Sequence, residues 1–163
     1  MIEGEFYGTR FSICDEGKVY RQSITKTKRW IRIDNLTPDS DGYILVGLRK
    51  NGKLKKFLLH RIVYNLYHPS WNIMNNSKYN CIDHIDGIPS NNHIDNLRVV
   101  THQENHFNET KAKGYYFNKA SGKFQAQILL NGKNKFLGYF EKEEDARRAY
   151  AEAKLIYHVI RGR

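Results

Sequence analysis

The chain has 163 residues, of which 40% are hydrophobic and 13% aromatic, and it carries a net charge of +10. That apolar content suffices for a packed core and excludes a disordered tail. No stretch approaches the roughly 18 apolar residues of a membrane span, residues 1–5 do not resemble a signal peptide, and the two cysteines stand far apart. We therefore expect an intracellular protein, in the cytoplasm or nucleoid of a host cell, without a disulfide framework.

The charge is distributed unevenly along the chain. Residues 1–59 carry a net charge of +5, residues 60–110 carry −2, and residues 111–163 carry +7. Basic segments favour a polyanionic partner, with nucleic acid as the first candidate, whereas a segment that holds a cation needs carboxylates. We therefore divide the chain into an N-terminal β-rich region that contacts DNA, a central core and a C-terminal unit, with these same boundaries.

The first forty residues have the pattern of short strands and loops. An extended strand over 24–33 would place Lys26, Lys28, Trp30 and Arg32 on one face. Such a face could lie along a phosphate backbone, with Lys28 and Arg32 as DNA contacts. It could equally be a solvated edge strand that its charges protect from pairing.

A basic hairpin and a short helix follow. Strands are predicted over Gly42–Leu48 and Lys55–Leu59, and Asn51-Gly52 between them is a strong hairpin signal. The basic side chains of the hairpin favour contact with the DNA backbone over a merely soluble turn. The predicted DNA contacts are Arg49, Lys50, Lys53 and Lys55. Residues 60–67 are predicted to form a helix that ends before Pro69. Arg61 at its start could reach a phosphate, whereas we interpret His60 as structural.

The stretch 79–108 contains the residues best suited to chemistry. A short strand ends in Asp83-His84, a turn-rich loop leads to Asn96, and a second strand covers 97–100. Thr101 and Glu104 then have the spacing of a capping box, which predicts a helix with Asn105 near its first turn. The resulting order is strand, loop, strand, helix.

These side chains suit phosphodiester hydrolysis. Asp83 offers a hard anionic oxygen and Asn105 a neutral one, which leaves most of the coordination sphere of Mg²⁺ for water and phosphate. His84 has an ordinary pKa near neutrality and suits a base that takes a proton from water. Neighbouring side chains in a strand start toward opposite faces, so Asp83 and His84 converge only if the strand twists or ends there.

The pattern Asp-His, Asn96 twelve residues on and Asn105 nine residues further resembles the HNH (ββα-metal) nuclease motif in its His-Asn-Asn form. The upstream segment 41–63 resembles phage HNH homing endonucleases, including those encoded in group I introns. The resemblance implies that His84 is the general base, that Asp83 and Asn105 hold one Mg²⁺ or Mn²⁺ per active site, and that Asn96 braces the loop and His84. Asn105 stands where the name-giving pattern has histidine, which favours a hard cation over zinc.

Other interpretations of this stretch stay open. The Asp-His pair followed by Asp86-Gly87 could form a surface hairpin turn, with Asn96 and Asn105 acting only as caps. The segment could also be a decayed, inactive copy of a nuclease.

The C-terminal unit is predicted to contain three strands and one helix. The strands cover Gly114–Asn118, Lys123–Leu130 and Asn134–Phe140, the helix covers Glu143–Tyr157, a linker at 109–113 precedes them, and a basic tail at 161–163 follows.

This order and the Gly-Tyr-Tyr-Phe, Leu-Gly-Tyr-Phe and Ala-x-x-Ala-Tyr segments resemble the AP2/ERF DNA-binding domain. The resemblance implies that the sheet enters the major groove, through outward and flanking residues Tyr116, Asn118, Lys119, Lys123, Gln125, Gln127 and Lys133. Outward positions that are rich in Arg and Trp in that family hold Tyr, Asn, Gln and Leu here, so backbone docking by lysines is better supported than any base preference. A small α+β packing module without DNA contact is the alternative.

Together these features predict an α+β protein with N-terminal hairpins, a central ββα-metal motif and a C-terminal three-stranded antiparallel sheet with one helix. The expected function is that of a metal-dependent HNH endonuclease of the homing type acting on double-stranded DNA. One site per chain predicts a nick, and we expect a monomer without a membrane or an obligatory protein partner. The alternative is a DNA-binding regulator with an inactive HNH module. An RNA-binding protein is less well supported, because no base-stacking surface motif is evident.

Overall fold

A computed structural model describes residues 1–107 and 113–160 and shows the mixed α+β architecture expected from the sequence. It divides into two units, Met1–Val99 and Val100–Arg163, which we call the first and the second unit. The predicted tail at 161–163 and all of the predicted linker except Lys113 lie outside the described residues. In the part of the chain that is described, no helix has the length and apolarity needed to cross a membrane.

The first unit begins with a four-stranded antiparallel sheet in sequential order. Its strands are β1 (Ile2–Phe6), β2 (Thr9–Ile13), β3 (Val19–Gln22) and β4 (Trp30–Arg32). Phe11, Ile13 and Val19 point from this sheet into the hydrophobic core, where they are almost fully buried.

The long basic strand predicted over 24–33 is wrong, because only Trp30–Arg32 is extended. Residues 24–28 form turns, in which Lys28 has a φ of +43° and donates its N–H to the carbonyl of Thr25. The hydroxyl of Thr25 also bonds those of Ser23 and Thr27, at 2.8 and 3.0 Å. Such local bonds compete with strand formation. Lys28 therefore does not share a strand face with Arg32.

The basic hairpin and the helix after it are confirmed. Strands β5 (Leu45–Lys50) and β6 (Lys53–Leu58) pair antiparallel. Asn51 and Gly52 both have positive φ, 50° and 75°, as the favoured two-residue hairpin turn requires. Helix α1 (Leu59–Tyr67) packs Leu59, Ile62 and Val63 into the core of the first unit and ends two residues before Pro69.

The strand, loop, strand, helix order of the central stretch is also confirmed. Strands β7 (Cys81–His84) and β8 (Leu97–Val100) form a two-stranded sheet, and helix α2 (His102–Phe107) follows. The capping box is formed, since Glu104 N–H donates to the Thr101 hydroxyl at 3.1 Å and Thr101 N–H donates to the Glu104 carboxylate at 2.8 Å.

The second unit contains a three-stranded antiparallel sheet covered on one face by a helix. The strands are β9 (Tyr115–Asn118), β10 (Lys123–Leu130) and β11 (Lys133–Phe140), with β10 in the centre, and the helix is α3 (Glu143–Tyr157). Ala126 and Ile128 of β10, together with Ala146 and Ala153 of α3, are buried. Small side chains on both elements allow this helix to lie close to the sheet.

Gly114 should prove less replaceable than Gly122, although both adopt positive φ, 67° and 68°. Alanine at either position costs about 1–2 kcal/mol of backbone strain. A Cβ at Gly114 would also lie 2.1 Å from two ring atoms of Tyr150, whereas at Gly122 it meets nothing within 4 Å. We expect Gly114→Ala to lower the melting temperature clearly more than Gly122→Ala in thermal denaturation followed by circular dichroism. Equal shifts would contradict the packing of Tyr150 on this glycine.

Candidate active site

The candidate active site lies where β7 ends. Asp83 and His84 are the last two residues of the strand, and their side chains are only 4% and 5% exposed. The loop that follows returns to β8, and Ile85 N–H donates to the carbonyl of Asn96 at 2.9 Å. Two polar side chains are thus buried at one strand end, a costly arrangement unless both are hydrogen-bonded.

Asn96 ties the loop together. Its amide Nδ2 donates to Asp86 Oδ1 at 2.9 Å and to the carbonyl of Asn91 at 2.8 Å, and its Oδ1 accepts from Asp86 N–H at 3.0 Å. Desolvation raises the pKa of Asp86, but hydrogen bonds from Ile88 N–H and the Asn91 and Asn96 amides outweigh it and hold that pKa below its usual range. Asn96 therefore fixes the backbone that follows His84 through Asp86.

Asn92, which the sequence did not single out, determines which nitrogen of the His84 ring carries the hydrogen. Its Nδ2 donates to the carbonyl of Ser90 at 3.1 Å, so its Oδ1 faces His84 Nε2 at 3.2 Å. An amide oxygen only accepts, so Nε2 must carry the hydrogen. In the neutral ring the lone pair is then on Nδ1, the nitrogen that can accept a proton.

His84 also packs against two other rings. His60 lies edge-on to it at a centroid distance of 4.9 Å and Tyr43 lies 6.0 Å away. Burial, with the nearby His84 and Arg61, lowers the pKa of His60 to about 3, so this ring is neutral at ordinary pH. Burial also lowers the pKa of His84, although the Asn92 bond and the Asp86 and Asp83 carboxylates oppose the shift. Neutral His84 can therefore accept a proton at neutral pH.

Arg98 is the second residue that sequence reasoning missed. Its Nε and Nη2 lie 2.8 and 2.7 Å from Asp83 Oδ2, which gives the buried carboxylate a cationic partner. Arg98 alternates with Leu97 and Val99, which are both buried, so it points to the other face of β8. A lone arginine in an otherwise apolar strand near a buried aspartate was the available signal.

The other predicted site residues fall into separate groups. Asn105 lies in α2, which belongs to the second unit, and its role as a ligand beside Asp83 stays a prediction. Arg61 donates to the carbonyls of Ile73, Asn75 and Asn80, so it holds the 72–80 loop. Arg32 pairs with Asp34 at 2.8 Å.

The cations of the hairpin form one exposed group. The segment 45–58 contains no aspartate or glutamate, and its five basic side chains are all exposed: Arg49, Lys50, Lys53, Lys55 and Lys56. Cross-strand register places Lys50 opposite Lys53 at the turn. Their mutual repulsion is unfavourable for folding, and contact of this group with the DNA backbone stays a prediction.

Comparison with known proteins identifies the type of domain that contains the candidate active site. Residues 57–107 match the HNH endonuclease family model, so the chain contains an HNH endonuclease domain. A related sequence is an uncharacterised HNH endonuclease of Acanthamoeba polyphaga mimivirus, with 37% identity over 79 residues. That alignment covers 47% of this chain and only 22% of the relative's length. No solved structure matches significantly. An AP2-like second unit and a phage origin stay predictions.

HNH domains generally use a divalent metal, and the chemistry of this site fits a hard cation at Asp83. Arg98 already pairs with this buried carboxylate, so a bound cation would share Asp83 with Arg98 or replace it. Within residues 1–107 and 113–160, no three His, Cys, Asp or Glu side chains come together as they do in a zinc site. One carboxylate, amide oxygens and water form the kind of ligand set that Mg²⁺ accepts.

Replacing Asn92 by alanine should slow any reaction that uses His84, by about tenfold, because the ring loses the bond that fixes its orientation. The Asn92 bond raises the pKa of His84, so its loss should also move the acid limb of the pH–rate profile to lower pH. Initial rates of plasmid nicking between pH 5 and 8 would measure both effects. A slower rate with an unmoved acid limb would indicate that Asn92 acts on the fold alone.

Proposed function

We propose that the chain is a Mg²⁺- or Mn²⁺-dependent endonuclease that hydrolyses one phosphodiester bond per encounter in double-stranded DNA. The single observation that carries this proposal is the state of His84. The ring is buried at the end of β7, directly after Asp83, and its Nε2 lies 3.2 Å from Asn92 Oδ1, which leaves Nδ1 as the nitrogen without a hydrogen in the neutral ring.

In the proposed reaction, His84 Nδ1 takes a proton from water as the water oxygen attacks phosphorus. The bond to the 3′ oxygen of the preceding sugar breaks and that oxygen takes a proton from solvent water, leaving a 3′ hydroxyl and a 5′ phosphate. Asp83 and Asn105 would hold the divalent cation, which would stabilise negative charge on the phosphate and on the leaving oxygen. Asn96 holds the loop through Asp86, and Asn92 holds the ring, so the base needs little reorganisation.

The exposed Arg49 and the exposed lysines of the hairpin support binding of the DNA backbone in the first unit. In the second unit, Lys119 and Lys133 are exposed, whereas Lys123 pairs with Glu141 at 2.7 Å. The three-stranded sheet with one helix supports an AP2-like DNA-binding role for this unit. A homing role rests on the sequence resemblance of segment 41–63.

Supercoiled plasmid incubated with the protein tests the proposal directly. Conversion to open circles in Mg²⁺, and none in EDTA, is the expected result, since one site per chain cuts one strand. Linear product appearing without an open-circle intermediate would instead require two sites acting together.

A DNA-binding regulator with an inactive HNH domain is the second candidate, and the Asp83–Arg98 pair favours it, because this pair neutralises the carboxylate without a metal. DNA binding without Mg²⁺-dependent nicking of any plasmid that carries bound sites would support this candidate and overturn the first.

A further inference from the structure

The sheet face turned away from α3 carries a row of exposed aromatic side chains. Tyr116 of β9 and Tyr139 of β11 both pair with Gln125 of the central strand, so the two rings flank that glutamine on one face. They are 47% and 50% exposed and stand roughly 10 Å apart, two strand spacings. Phe136, 53% exposed, pairs with Gln127 on the same face, and its ring lies 5.1 Å from that of Tyr139.

The amide of Gln125 between the two tyrosines has a fixed orientation. Asn118 Oδ1 accepts from the N–H groups of Ala120 and Ser121, at 3.0 and 3.3 Å, so its Nδ2 is the donor. That Nδ2 donates to Gln125 Oε1 at 3.1 Å. The Gln125 Nε2 group is thereby directed away from Asn118 as a hydrogen-bond donor.

The charge of this sheet suits an anionic partner. The segment 113–140 contains five lysines and no aspartate or glutamate, but Lys123 pairs with Glu141 and Lys135 donates to the Tyr157 hydroxyl on the α3 side. The exposed Lys113, Lys119 and Lys133 lie before β9, after β9 and at the start of β11. The acidic cluster of the second unit, Glu143 to Asp145, lies instead in the first turn of α3, on the other side of the sheet. Helix α2 lies near the β10–β11 turn, where Gln103 donates to Asn131 at 3.2 Å, so it leaves the end with the two tyrosines exposed.

Exposed rings on a sheet that has lysines at its strand ends are a combination that binds unpaired nucleotides. Bases of a single strand offer ring faces for stacking, whereas in a duplex those faces are covered by the neighbouring bases. A protein partner fits less well, because lysine is depleted from the centres of protein interfaces.

We propose that this face of the second unit is a stacking surface for single-stranded DNA, with Tyr116 and Tyr139 each stacking on a base and Gln125 donating to a base edge between them. This inference goes beyond the proposed nuclease function and holds whether or not the site at His84 cuts DNA.

Fluorescence anisotropy with the full chain in EDTA tests the inference without cleavage. The probes are a fluorescein-labelled 12-nucleotide DNA of mixed sequence, its duplex and the RNA of the same sequence, at one salt concentration. Because the hairpin of the first unit is proposed to bind the duplex as well, the informative quantity is how much each substitution weakens single-strand binding relative to duplex binding. Tyr116→Ala and Tyr139→Ala should each weaken single-strand binding by about 5- to 150-fold, the equivalent of 1–3 kcal/mol per stacked base. Tyr139→Phe, which retains the ring, should bind like the wild type.

Phe117 provides the matched control. It is as exposed as the two tyrosines, at 52%, but pairs with Phe124 on the opposite face of the sheet. Phe117→Ala should leave the affinity within twofold of the wild type. The inference is overturned if Tyr116→Ala and Tyr139→Ala weaken binding of the duplex as much as binding of the single strand, if RNA binds more tightly than DNA, if Phe117→Ala and Tyr139→Ala have equal effects, or if no nucleic acid binds.

Discussion

Replacing His84 by alanine should reduce Mg²⁺-dependent plasmid nicking by about 10²- to 10⁴-fold, the contribution of a positioned general base. The buried ring has a lowered pKa and is therefore neutral at pH 7. Its Nε2–H is held by Asn92, so Nδ1 is the nitrogen that accepts the proton of the attacking water. Initial rates of open-circle formation under single-turnover conditions measure the loss without interference from product release.

His68→Ala is the matched control for this variant. His68 is an exposed histidine beyond the end of α1, with its ring 4.4 Å from that of Tyr64, and it is remote in sequence from the β7–β8 loop. It should nick at the wild-type rate. Because His84 is buried, melting temperatures of both variants are needed beside the rates. A folded His84→Ala protein that nicks as fast as His68→Ala would remove His84 from the reaction.

The sequence predicted correctly the elements that depend on interactions between residues close together in the chain. Asn51-Gly52 predicted the hairpin, Thr101 and Glu104 predicted the start of α2, and the alanine stripe predicted α3 from Glu143 to Tyr157. Each signal depends on turn chemistry, capping or periodicity within a few residues. The basic strand over 24–33 failed because alternation alone does not exclude turns closed by serine and threonine hydroxyls.

The candidate site was only partly predictable, because its supporting contacts join distant positions. Asp83 and His84 could be selected from the sequence because an aspartate and a histidine suit the proposed chemistry. Arg98, in contrast, is 15 residues from Asp83, and its contact with the Asp83 carboxylate depends on how β7 and β8 pair. Asn92 was one of several polar residues in a turn-rich loop, and only the fold shows that its amide faces His84. The aromatic pair Phe136 and Tyr139 was missed because a bulge at Ala126–Gln127 shifts the register of β11, so alternation does not place both on one face.

Asp83 has two separable roles, as the buried partner of Arg98 and as the proposed cation ligand, and substitutions at both positions distinguish them. Asp83→Asn alone should abolish nicking, with a loss of at least about 100-fold. It should also destabilise the fold, because it leaves the largely buried Arg98 charge without its partner. Breaking such a pair costs about 3–5 kcal/mol when it is fully buried, and less here because Arg98 keeps some contact with solvent.

The double variant Asp83→Asn with Arg98→Gln replaces the ion pair by two neutral amides that can still hydrogen-bond to each other. Its melting temperature should therefore return toward the wild-type value, since no uncompensated charge is left in the strand pair. Nicking should stay lost, because a neutral amide binds Mg²⁺ more weakly than a carboxylate does and supplies no negative charge. Melting temperature and nicking rate, measured on the same preparations of the wild type, both single variants and the double variant, separate the two roles. If stability and nicking recover together in the double variant, Asp83 serves only the ion pair, and the cation must be held by other residues.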